Sequence, residues 1–101
     1  MRITLQYFDG CPNWKTTDAR LREALADLGT AIQIQYQVVD TPEEAERLQF
    51  RGSPTILIDG DDPFAQPDAP VGLTCRVFRT PTGLGGSPSR EQLRNALEAH
   101  L

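Results

Sequence analysis

A cysteine followed by proline, at the point where an apolar run gives way to a helical pattern, is the feature of this chain best suited to chemistry. Cys11 stands in Tyr7-Phe8-Asp9-Gly10-Cys11-Pro12-Asn13-Trp14. A thiol at the N-terminus of a helix meets unpaired N–H groups and the positive end of the helix dipole, and both favour the thiolate. The thiolate is the nucleophile of thiol–disulfide exchange. Asp9 opposes that ionisation, while Lys15, the only lysine beside nine arginines, favours it if it faces the sulfur. The position three residues after Cys11 holds Trp14, so no local Cys-x-x-Cys disulfide can form. The one other cysteine is Cys75.

The elements that must position Cys11 can be read from periodicity. Residues 3–8 alternate and are β-prone, which predicts a strand. From Pro12 to about Leu28, the residues Trp14, Leu21, Ala24, Leu25 and Leu28 form a helical stripe, with proline in the first turn and Gly29 as a stop. Residues 32–39 alternate again. Ile32, Ile34, Tyr36 and Val38 share one face and Gln33, Gln35 and Gln37 the other, as on an edge strand with a wet side. Thr41-Pro42-Glu43-Glu44 reads as the start of a short helix that runs to about Phe50 and stops at Gly52.

Ser53-Pro54 opens a third strand, Thr55-Ile56-Leu57-Ile58, whose unbroken apolar run predicts a central position. Residues 59–73 read as a loop, Cys75 to Arg79 as a short strand, and Gly83 to Ser87 as a flexible glycine-rich turn. Ser89 with Gln92 marks a capping box for the last helix. The order is β-α-β-α-β-β-α. The first two strands should be parallel through a right-handed crossover. The last two should form an antiparallel pair.

This order, with Cys11-Pro12-Asn13-Trp14 after the first strand and Ser53-Pro54-Thr55 before the third, resembles the thioredoxin-like family and its glutaredoxin-like members. The resemblance covers nearly the whole chain. It implies an α/β fold of one domain over residues 1–101, with a central four-stranded mixed sheet flanked by helices. It implies a cis Ser53–Pro54 bond facing Cys11, with Ser53, Pro54 and Thr55 contacting a substrate backbone and Pro12 and Trp14 lining the thiol. Cys11 would be a single nucleophile exchanging mixed disulfides with protein or small-molecule thiols, as in monothiol relatives. Glutathione or another low-molecular-weight thiol would be the co-substrate, with no tightly bound cofactor. Arg51, just before the proline loop, could meet a substrate carboxylate. The Gly-Gly-x-Asp segment of glutaredoxin-like proteins has no matching acid after Gly85-Gly86-Ser87.

Two other readings stand beside exchange. One is a thioredoxin-like binding module without turnover. The other is a soft-metal or organomercurial binder, since thiolates select soft metals and some sequences with similar Cys-Pro heads look mercury-related. The metal reading requires Cys11 and Cys75 to meet. On an antiparallel ladder they would not, because four residues of strand separate Cys75 from the active-site end by roughly 13 Å at about 3.3 Å per residue. A disulfide needs Cα atoms within about 7 Å. Cys75 therefore reads as structural.

The remaining composition excludes more than it suggests. A net charge of −4 argues against nucleic acid, and no apolar stretch reaches membrane-spanning length. One histidine and two cysteines cannot build an all-Cys/His zinc site. Asp59, Asp61, Asp62 and Asp68 lack EF-hand spacing and read as a solvated loop. The N-terminus enters a strand without a signal-peptide core, so the expected location is the cytoplasm, where thiols stay reduced.

Overall fold

The computed structural model describes residues 1–101 as an α/β arrangement of a mixed three-stranded sheet, three helices and a separate two-stranded hairpin. The elements are β1 (Ile3–Tyr7), α1 (Asn13–Asp27), β2 (Ile34–Val38), α2 (Pro42–Leu48), β3 (Thr55–Ile58), β4 (Phe78–Thr80), β5 (Gly83–Gly85) and α3 (Arg90–Glu98). The sheet order is β2-β1-β3. β1 and β2 run parallel, as the intervening helix requires, and Leu5 lies opposite Tyr36. β3 runs antiparallel to β1, with Leu5 opposite Ile56.

Alternation along β1 sends Ile3 and Leu5 to one face. There they meet Ile56 and Ile58 of β3, Leu21, Ala24 and Leu25 of α1, and Leu93 and Leu97 of α3 in the main core. Burying each of these aliphatic side chains fully contributes roughly 1.5–3 kcal/mol. Gln6 and Phe8 face the other way. Gln6 Nε2 donates to Gln37 Oε1 at 2.8 Å. Phe8 joins a smaller cluster formed by Val39, Ala45 and Phe50 with Leu48, Val71 and Leu73.

The caps follow the sequence signals. Thr41 Oγ1 accepts from the Glu44 amide at 3.1 Å. Ser89 and Gln92 form a reciprocal box, with Ser89 Oγ accepting from the Gln92 amide and Gln92 Oε1 from the Ser89 amide. α2 stops at Leu48 rather than Phe50. Gln49 turns into the left-handed region at φ 54°, which leaves Phe50 free to enter the smaller cluster.

Three expectations fail here. The four-stranded sheet is replaced by three strands, because β4 pairs with β5 and not with β3. The segment before β4 meets the start of β3 only at a single parallel bridge between Ser53 and Cys75. Pro54 has no N–H with which to extend that bridge. The third strand is consequently an edge and β1 is the centre. Finally, residues 83–85 are strand rather than flexible turn, and they are followed by an anchored residue: Ser87 is buried and its Oγ receives a 2.7 Å hydrogen bond from Thr17 Oγ1.

β2 is an edge strand, as its alternation predicts, but its polarity is mixed. Gln37 is half-buried, whereas Tyr36 is 50% exposed. The Tyr36 hydroxyl donates to Asp18 Oδ1 at 2.6 Å. Desolvation first, then the hydrogen bond and charge of Asp18, hold the phenol protonated above its ordinary range, against the opposing Arg22 charge. Because the raised value belongs to the folded state, this contribution is complete below the unfolded phenol value near 10 and is lost as pH rises through the folded value. Ultraviolet titration should therefore show a tyrosine with a midpoint above about 10, and Tyr36→Phe should remove that transition. A midpoint at the ordinary value contradicts the assignment.

Candidate functional site

The sulfur site is built where β1 ends and α1 begins. The chain turns through Phe8 to Cys11, closed by a 3.2 Å bond from the Cys11 amide to Phe8 O. Pro12 forms the N-cap position of α1, and no side chain caps this helix. Cys11 therefore sits one residue before the N-cap, as its sequence position implies. It is fully buried, at 0% exposure.

Facing it is the Ser53–Pro54 loop. The peptide bond is cis, and both residues are buried. Cys11 Sγ lies 3.8 Å from Ser53 O. Ser53 Oγ accepts from the Phe8 amide at 3.3 Å, which ties the loop to the turn carrying the thiol. Thr55 Oγ1 donates to Gly52 O at 2.7 Å. The backbone of Ser53 is fully engaged within the chain, since its amide donates to Thr74 O at 2.8 Å and its carbonyl accepts from the Arg76 amide at 2.9 Å. The positions that the resemblance reserves for a substrate strand are thus filled by residues 74 and 76.

Between those residues lies Cys75, and the distance argument that set it apart is overturned. Cys11 and Cys75 form a disulfide with Cα atoms 5.7 Å apart, and no free cysteine remains. The expectation of an unpaired Cys11 falls with it. No antiparallel ladder forms along the free edge of β3, where Ser53 and Cys75 share one parallel bridge. Residues 59–73 instead return the chain to the Ser53 end of that strand.

Arg76 holds this return path in place, a role that no motif in the sequence marks. Its side chain is 2% exposed, and its Nη1 lies 2.8 Å from Asp62 Oδ2. Nη2 donates to Phe64 O, and Nη1 reaches Thr55 Oγ1 at 3.5 Å. The guanidinium also lies 4.7 Å above the Phe78 ring, which meets Phe64 edge-on. Gly52 allows the approach, because a Cβ there would stand 3.1 Å from Arg76 Cβ, at a φ of 123°. A signal was present in the sequence. Arg76 and Phe78 are two residues apart on an extended segment, so a buried Phe78 carries Arg76 inward with it. The acidic loop, read as solvated, supplies Asp62 as its counter-ion.

The other candidate residues lie around this centre. Trp14 stacks on Tyr7, with ring centroids 4.1 Å apart and an interplanar angle of 19°, and packs against the main core. Pro12, Asp9 and Lys15 are exposed, and Lys15 forms no ion pair. Arg51 is committed to the loop, with Nη1 donating to Ala69 O. Gly85, Gly86 and Ser87 line a polar groove of about 410 Å³ with Asn13, Thr16 and Arg20. No cluster of three or more His, Cys, Asp or Glu side chains is placed to hold a metal ion. No helix is long and apolar enough to cross a membrane.

Comparison with protein-family models, curated proteins and solved structures finds no match to this chain.

Proposed function

We propose that this chain is a thioredoxin-like protein that carries out thiol–disulfide exchange through Cys11 and Cys75 acting as a pair. The observation that supports it is the meeting of the two cysteines beside the Ser53–Pro54 loop at the N-terminus of α1. In the reducing direction, a protein thiolate attacks a substrate disulfide and expels one substrate thiolate. The second protein thiolate then attacks the mixed disulfide, expels the other substrate thiolate and leaves the Cys11–Cys75 bond. Two molecules of glutathione, or of another low-molecular-weight thiol, reset the pair and leave as their disulfide. Ser53, Pro54 and Thr55 position the reacting sulfurs, and Pro12 and Trp14 border them. The cytoplasm, rich in such thiols, is the proposed setting.

The test is turnover of a small disulfide, such as hydroxyethyl disulfide, with glutathione, glutathione reductase and NADPH. The wild type should exceed the uncatalysed rate. Cys11→Ser and Cys75→Ser should each lose most of that excess, because each removes one of the two exchanging sulfurs. A wild-type rate no faster than glutathione alone would sink the proposal. Full activity in Cys75→Ser would return the protein to the single-cysteine scheme.

A second reading gains from the same juxtaposition. Once reduced, the two thiols are close enough to bind one soft cation such as Hg²⁺ as a two-thiolate pair. It predicts uptake of one Hg²⁺ per reduced chain, lost in either serine variant, without disulfide turnover.

A further inference from the structure

We infer that an incoming thiol attacks this disulfide at Cys75 and expels Cys11 as the leaving thiolate. The inference rests on the exchange reading above and assigns each sulfur its role within it. It reverses the expectation that Cys11 is the group that meets the substrate.

Two independent observations carry it. The first is access. Cys75 is an exposed residue, next to exposed Thr74, whereas Cys11 has no accessible surface. Displacement at sulfur places the attacking, central and leaving sulfurs nearly in line. Attack on Cys11 would require a thiolate to approach from within the protein, behind a fully buried residue. Attack on Cys75 approaches through a residue that is itself exposed.

The second is the fate of the negative charge. The sulfur that leaves must carry an electron pair, and a lower-pKa thiol leaves faster. Cys11 precedes α1, which has no side-chain cap; the Lys15 amide donates to Pro12 O at 3.1 Å, which leaves the Asn13 and Trp14 amides of the first turn to stabilise a thiolate. Cys75 follows a loop and begins no helix. Access and leaving-group stability therefore select the same polarity.

The steps balance. A thiolate RS⁻ forms a bond to Cys75 Sγ, the Cys11–Cys75 bond breaks, and the electron pair passes to Cys11 Sγ. A second thiolate attacks the outer sulfur, releases RSSR and leaves Cys75 as a thiolate. The two external thiols supply both electrons. The Ser53 hydrogen bonds to Thr74 and Arg76 and the Arg76–Asp62 pair involve neither sulfur, so reduction breaks none of them directly and the reverse reaction is intramolecular.

The experiment mixes the oxidised wild-type protein with excess glutathione and quenches samples with acid at successive times. Free thiols are alkylated under denaturing conditions, and the cysteine peptides are mapped by mass. The expected species carries glutathione on Cys75 and the alkyl group on Cys11, at least tenfold above the opposite isomer. Predominance of glutathione on Cys11 overturns the polarity and leaves the exchange reading intact. A protein that forms neither adduct and is not reduced overturns both.

Discussion

Breaking the Cys11–Cys75 bond should lower the thermal midpoint by about 15–20 °C. The bond joins residues 64 apart in the chain. On the chain-entropy model, closing a loop of that size removes roughly 4 kcal/mol of freedom from the unfolded state. For a domain near this length, 1 kcal/mol moves the midpoint by about 4–8 °C, with larger chains at the low end. Differential scanning calorimetry of the oxidised protein, the reduced protein and Cys75→Ser checks this directly. The two altered forms should agree, because both lose the same constraint. A shift below about 5 °C would correspond to little more than 1 kcal/mol. It would mean that the unfolded chain gains almost no freedom when the bond is cut.

Arg76→Ala should cost about 3 kcal/mol or more. Arg76 is a nearly fully buried cation whose partners are Asp62, Phe64 O, Thr55 and the Phe78 ring. Its removal leaves Asp62 without a counter-ion and opens a space against Phe78. Breaking one side of a buried pair is generally worth about 3–5 kcal/mol, and Asp62, being partly solvated, places this case at the low end. Arg76→Met, which keeps much of the packing volume, should cost less than Arg76→Ala. The converse variant Asp62→Asn strands the buried guanidinium, whose Nε already lacks a partner. It should also destabilise. Urea unfolding with the disulfide intact measures all three. Equal stability of Arg76→Ala and wild type would contradict an anchoring role.

Local features of this fold were legible because they depend on neighbours in sequence. The first strand, the start of α1 at the Cys-Pro pair, the caps at Thr41 and Ser89, and the parallel placement of β2 all follow from short-range pattern. The path of residues 59–77 was not legible. That stretch has no sustained period, and its course is set by contacts far apart in sequence: Ser53 with Thr74 and Arg76, and Arg76 with Asp62 and Thr55. Because Cys75 lies on this path, the sequence could name the two sulfurs but not bring them together. The hairpin of β4 and β5 was missed for a related reason. Phe78–Thr80 and Gly83–Gly85 are only three residues each, too short for alternation to stand out. The candidate site was thus readable on the Cys11 and Pro54 side and hidden on the Cys75 side.

The proposed exchange requires a disulfide that moves between oxidised and reduced forms under physiological thiol conditions. The most direct measurement is its reduction potential, obtained by equilibrating the folded protein in glutathione buffers of graded ratio and counting alkylated cysteines by mass. An exchange centre should titrate between about −180 and −300 mV, in the span of the known exchange proteins and cellular thiol pools. A potential below about −300 mV, with the bond intact in the most reducing buffers, would mark a structural disulfide and contradict the account.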